Sequence, residues 1–342
     1  MMKRIPVQDA VGTVLCHDLT KIVPGEFKGR AFQKGHVVRD EDIPMLRDMG
    51  KEHLYVLTLE QGMLHENDAA RRICSAAAGR GLALTEVCEG RINLTAEYHG
   101  LLSINIPALD RVNSQEGVVL ATAHTHQSVK PGRQVAGARV VPLVIEEERI
   151  QAVEAICASA HPVIEIKPFA SWNVGLVTTG SEVYHGRIQD AFGPIVRDKF
   201  AAYGSQVLDQ RFTSDDPELT AQAIREFIGQ DAHMVVCTGG MSVDPDDQTP
   251  ASIRAVAHEV VTYGSPTFPG AMFMLAYAGD VPILGLPGCV MYHKASIFEL
   301  VVPRMLAGER LTRQDIARMG HGGLCAGCGD CRYPLCPFGK GV

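Results

Sequence analysis

From about Ser171 to Ala307, short runs of consecutive apolar residues alternate with longer segments in which apolar positions recur every three or four residues. "NVGLVTT", "SQVLDQ", "AHMVVCT", "MFMLAY" and "VPILGL" have strand length. "DAFGPIVRDKFAAYG", "DPELTAQAIREFIG", "QTPASIRAVAHEV" and the long amphipathic "VMYHKASIFELVVPRML" have helical period. Strands buried on both faces need continuous apolar runs, and parallel strands need crossover helices. The order therefore predicts a three-layer α/β/α domain with a mostly parallel sheet over 169–310. Upstream, residues 1–62 read as a small domain in which "VGTVLCHDLT" alternates like a strand, "DEDIPMLRDMG" is a capped helix stopping at Gly50 and "HLYVL" is a strand. Residues 63–168 form an intermediate α+β region, with the Ala-rich helix "NDAARRICSAAAG", the strands "GVVLATA" and "ARVVPLVI", and a helix that opens on "EEER" and ends before Pro162. The fold class is α/β, with smaller α+β or β-rich N-terminal domains, and 311–342 is a linker and a cysteine-bearing tail whose glycines predict mobility.

Composition changes this picture little. Of 342 residues, 46% are hydrophobic and 21% charged, ordinary for globular protein, and the chain is long enough for several domains. A formal net charge of -7 argues against nucleic acid as a partner. "MMKRIPVQDAVG" lacks the apolar run of a secretion signal and no window reaches membrane-spanning length, which gives a cytoplasmic expectation without a membrane partner.

Candidate chemistry lies in "VVCTGGMSVDPDDQT", where an apolar run ends on two glycines followed by Asp244, Asp246 and Asp247. Glycine lets a phosphate or a ring approach the main chain, and clustered carboxylates hold a hard cation; a solvated turn is the plainer explanation. Ligands of parallel α/β sheets settle beyond the carboxyl ends of the strands. "TTGSEVYHGRIQD" and "GLPGC" open on the same rim, so three Gly-bearing loops converge on one predicted site. Hydroxyls of Thr178, Thr179 and Ser242 and backbone amides at Gly239 and Gly240 supply donors there.

These stretches, with "DDPELTAQAI" and "PGAMFMLAY", resemble in order and spacing the molybdenum-cofactor biosynthesis domain. That domain is shared by molybdopterin adenylyltransferases and gephyrin-type molybdopterin molybdenumtransferases. "GLPG" and its following helix favour the second branch, whose opening the first sixty residues also resemble. The resemblance implies a pocket for molybdopterin, a small pterin ligand that can be adenylylated, and insertion of molybdate with Mg²⁺. It implies cofactor-binding roles for Gly180, Ser181, Gly239, Gly240, Met241, Ser242, Pro287 and Gly288, and catalytic roles for Asp247, Glu182 and Asp190. It further implies a homo-oligomer and docking to molybdoenzymes or other cofactor-biosynthesis proteins. Three departures stand out: Ser181 replaces the Asp of "TGDE", the lysines of "KPGKP" are absent around Pro269 and Gly270, and "GLPGNP" has become "GLPGCV". Losing a carboxylate and two cations weakens turnover more than binding, so a non-catalytic cofactor carrier or sensor is the alternative. Asp190 and Asp216 are also candidate helix caps.

The tail "CAGCGDCRYPLCPFGK" spaces Cys325, Cys328, Cys331 and Cys336 almost as a bacterial ferredoxin run, with one extra residue before the fourth. A [4Fe-4S] cluster is the first expectation, a Cys₄ zinc site the second and an unliganded tail the third. "HTH", His124 and His126, reads as two positions on one strand face without a third ligand, Trp172 and the methionines of "AMFMLAY" as core, and neither a Walker loop nor a dinucleotide fingerprint is present.

Overall fold

The computed structural model describes residues 2–23, 27–57, 61–242, 244–245 and 247–341. The chain folds as two units, one made of 1–98, 102–123 and 129–166 and the other of 99–101, 124–128 and 167–342.

The second unit carries the apolar runs of the C-terminal half. Strands β1 (Asn173–Thr179), β2 (Gln206–Thr213), β3 (Met234–Thr238), β4 (Glu259–Tyr263), β5 (Met274–Ala278) and β6 (Val281–Leu286) form one sheet in the order β2-β1-β3-β6-β5-β4. The pairs β1/β2, β1/β3 and β3/β6 are parallel; β6/β5 and β5/β4 are antiparallel. Alternate side chains of a strand face opposite ways, and the cores divide accordingly. Val174, Leu176, Met234, Val236, Leu284 and Leu286 pack on one face with helices α2 (Phe192–Ala201) and α6 (Ile297–Leu306). Val177, Val235, Cys237 and Ile283 pack on the other with α3 (Pro217–Gly229) and α4 (Thr249–Val256). Short helices α1 (Ser181–Tyr184), α5 (Cys289–Tyr292) and α7 (Arg313–Arg318) complete this unit. The predicted three-layer α/β architecture with a mostly parallel sheet is therefore present.

Several boundaries differ from expectation. The helix expected through "AHEV" stops at Val256, and Glu259–Tyr263 is the antiparallel edge strand, because this β-branched run finds a partner in β5. The single long helix over 290–306 is two helices. Ser296 caps α6: its Oγ accepts from the Phe298 amide at 3.3 Å while the Glu299 carboxylate accepts from the Ser296 amide at 2.8 Å. Nor is α6 amphipathic, since all ten of its residues are buried. Burial pushes the Glu299 carboxyl up, and the ion pair with Lys199 opposes that shift. Leu311, Ile316, Met319 and Phe338 are buried in the same core, so the segment expected to be mobile is packed down. His124 and His126 lie in a turn and not on a strand, with His126 at φ 60°.

The first unit holds two separate cores. Val7, Leu15, Phe32, Leu46 and Leu54 form the smaller. Around it Met2–Pro6 pairs with His53–Leu57, and Leu19–Val23 with Phe27–Phe32. Most of "VGTVLCHDLT" is irregular, with strand beginning only at Leu19. The larger core sits between a four-stranded antiparallel sheet and the helices Glu66–Ala77 and Glu147–Ser159. Arg72 joins those helices, its Nε and Nη2 each 2.7 Å from Glu154 and its Nη1 2.7 Å from Glu147. This fork is two-thirds buried, so Arg72→Met should lower unfolding stability by about 1 kcal/mol in denaturant titration, with Arg72→Lys recovering only part of the loss.

Candidate functional site

The rim is set by strand register. Thr178 of β1 pairs with Thr238 of β3, and Thr238 with Leu286 of β6, so the loops that leave these adjacent parallel strands start side by side. The three converging Gly-bearing loops expected from the sequence do share one edge of the sheet.

Beneath the loops runs a chain of buried hydroxyls. Thr178 Oγ1 lies 3.0 Å from Thr238 Oγ1, Thr179 Oγ1 lies 3.0 Å from Thr249 Oγ1, and Thr249 Oγ1 donates to the Gly239 carbonyl at 2.8 Å. Thr178 and Thr179 thus spend their hydroxyls on the scaffold: they hold the second loop in place and are absent from the cavity lining. Gly239 needs its missing side chain twice over, since it sits at φ 83° and a Cβ there would stand 2.2 Å from the Thr179 carbonyl oxygen.

A cavity of about 540 Å³ opens above this floor. Gly239, Gly240, Met241, Ser242 and Asp247 line one side, and Pro287, Gly288 and Cys289 another. Phe192, Leu286 and residues 268–272 complete it. The volume lies in the usual range for a small-molecule site. Asp247 is the one charged residue among the described lining, and its Oδ2 accepts from the Ser242 amide at 2.8 Å, which fixes the turn. Asp246 lies outside the described residues. Burial pushes the Cys289 thiol up, so it faces the cavity as a neutral group at neutral pH.

The first loop contributes less than expected. Asp190 accepts from the Phe192 and Gly193 amides at 2.9 Å each and from Gln210 Nε2 at 2.7 Å, so it caps α2 and does not line the cavity. Ser181 donates to Asp215 Oδ2 from its amide at 3.0 Å and its hydroxyl at 2.6 Å, tying the loop down. Gly180, Ser181 and Glu182 are likewise absent from the cavity lining. Asp216 caps α3, as anticipated, through the Glu218 amide at 2.9 Å.

Sequence reasoning drew 268–272 toward the ligand only through the family lysines missing there and did not name it as a lining element, reading Met272 as core. The stretch is Phe268, Pro269, Gly270, Ala271 and Met272, and Gly270 marks it: at φ 137°, a Cβ there would meet the Ile297 Cβ at 2.6 Å. The available signal was an aromatic residue directly before a Pro-Gly pair, and the structure leaves that Phe268 exposed.

In the tail, Cys325, Cys328, Cys331 and Cys336 all line a second cavity of about 260 Å³. Among the described residues no three His, Cys, Asp or Glu side chains gather closely enough to hold a single ion. Also among them, no helix is long and apolar enough to cross a membrane.

Residues 175–307 match the family described as "Probable molybdopterin binding domain". The molybdopterin-binding match starts within β1, ends just after α6 and so contains all three loops that line the larger cavity, while the cysteine tail falls beyond it. Residues 4–58 match a domain of unknown function, DUF8806. Among curated proteins, the chain is 24% identical over 157 residues to the molybdopterin molybdenumtransferase of Synechococcus elongatus, covering 43% of this chain and 39% of that protein. It is 28% identical over 131 residues to the enzyme of the same name from Staphylococcus aureus strain Mu50, covering 36% of this chain and 31% of the relative. The chain therefore spans well under half the length of either relative. The solved molybdopterin biosynthesis enzyme MoaB of Thermus thermophilus aligns with 40% of this chain and 98% of its own, at 19% identity and a TM-score of 0.35.

Proposed function

We propose that the larger cavity binds molybdopterin and that the chain acts in molybdenum cofactor biosynthesis, inserting molybdate into adenylylated molybdopterin with Mg²⁺. One observation carries this reading: within the matched domain, glycine backbone from two adjacent strand ends and a single carboxylate face one pterin-sized cavity. The amides around Gly239 and Gly240 meet anionic oxygen without a Cβ in the way, and the apolar walls suit the flat heterocycle. Magnesium fits the donors present, because it characteristically takes one or two carboxylates, the phosphates of its ligand and several waters. Asp247 would hold it, and the ion would neutralise phosphate charge while the bond to AMP breaks. In this reading the protein is cytoplasmic and assembles as a homo-oligomer.

A specific observation favours a second reading, that of a carrier or sensor. The described cavity lining contains no Lys or Arg, and Phe268, Ala271 and Met272 stand where the resembled family has cations. The two readings separate on one assay. Purified protein incubated with adenylylated molybdopterin, molybdate and Mg²⁺ should release AMP stoichiometrically with cofactor formed, and chelating Mg²⁺ should stop it. Tight binding without AMP release selects the carrier.

A further inference from the structure

We propose that the four tail cysteines hold a [4Fe-4S] cluster and that this cluster fastens the outer wall of the larger cavity. The tail is built as a fixed loop. Phe338 is 2% exposed in the core, Tyr333 Oη donates to the Glu299 carbonyl at 3.1 Å, and the Gly339 amide donates to the Gly322 carbonyl at 2.9 Å. The 322–339 pairing closes the loop around the cysteine run, Tyr333 pins its middle, and all four cysteines line the same cavity of about 260 Å³. A single zinc ion needs four sulfurs at about 2.3 Å from one point, and among the described residues no three ligating side chains gather that closely. A metal–sulfide cube bridges thiolates set farther apart. Four thiolates on such a cluster leave a net charge of about two negative units, and Lys294 and Arg332 in the same lining supply two positive ones.

The link to the larger cavity is backbone. The Phe268 amide donates to the Gly323 carbonyl at 2.7 Å, and the Cys325 amide donates to the Phe268 carbonyl at 2.8 Å. Phe268 begins the 268–272 wall, and Cys325 is the first proposed ligand. Helix α5 makes a second connection, with Cys289 lining the larger cavity and Tyr292 the smaller. Calling the larger cavity a pterin site rests on the proposed function; the cluster and its hold on Phe268 do not.

Full-length protein purified without oxygen, or reconstituted with iron and sulfide, should carry about four iron and four sulfide per chain and show a visible absorption that bleaches with dithionite. Cys328→Ser and Cys331→Ser change exposed residues and should lose both signals while remaining folded, whereas Cys88→Ser, exposed in the other unit, should keep them. Removing the cluster should speed hydrogen exchange at the Phe268 and Cys325 amides by about tenfold or more. Stoichiometric zinc without iron, or no cluster after reconstitution, overturns the site. Unchanged exchange at those amides overturns its hold on the wall.

Discussion

Gly239→Val should abolish pterin binding and cost at least about 3 kcal/mol of stability, the largest effect expected of any single change at the site. A β-branched residue is strained at φ 83°, and its Cβ would collide with the Thr179 carbonyl, a backbone atom that cannot rotate away. The Thr179, Thr249 and Gly239 hydrogen bonds would then part, and the second loop would lose its floor. Thermal melting with a binding titration measures both effects. Because this variant risks unfolding, Gly288→Phe is its companion. Gly288 has φ -55°, and a Cβ placed on it would meet nothing within 4 Å, so the larger side chain can enter the cavity mouth without backbone strain. It should bind pterin at least tenfold more weakly while melting near the unaltered temperature.

Asp247→Asn should leave folding and pterin binding nearly intact and reduce Mg²⁺-dependent AMP release by about 100-fold, close to 2.7 kcal/mol of barrier. The amide oxygen still accepts from the Ser242 amide, so the turn keeps its shape, whereas the negative charge available to the cation is gone. Single-turnover AMP release at several Mg²⁺ concentrations resolves the effect. Turnover equal to the unaltered protein at every concentration removes Asp247 from the mechanism. The parallel variants Asp190→Asn and Glu182→Gln should have much smaller effects on chemistry, since neither residue lines the cavity.

The centre of the sheet was legible because its inner strands are buried on both faces: "MVVCT" and "LVTT" leave no helical alternative for so short an apolar run. The second and third loops were legible for the same reason, since parallel order fixes which strand ends share a rim. What escaped notice depends on tertiary partners. Asp190 read in sequence both as a catalytic acid and as a helix cap; the distances to two helix amides and, from a neighbouring strand, to Gln210 show how its oxygens are used. Thr178 and Thr179 offered hydroxyls, but the neighbouring strand supplied Thr238 and the start of α4 supplied Thr249 as their partners. The 268–272 wall comes from a loop before an antiparallel strand, and the rule about parallel strand ends says nothing of it. The tail's glycines read as a flexible connection because composition does not reveal that Leu311, Ile316 and Phe338 are core residues.

Acceptance of a molybdopterin molecule by one cavity, floored by Gly239 and mouthed by Gly288, underlies the proposed function. Titration of the purified full-length chain with molybdopterin, followed by pterin fluorescence after oxidation of the bound fraction, tests it directly. Saturable uptake of about one pterin per chain is expected, greatly weakened by Gly288→Phe at unchanged melting temperature. Absence of saturable uptake, or equal uptake by the folded Gly288→Phe variant, would contradict it.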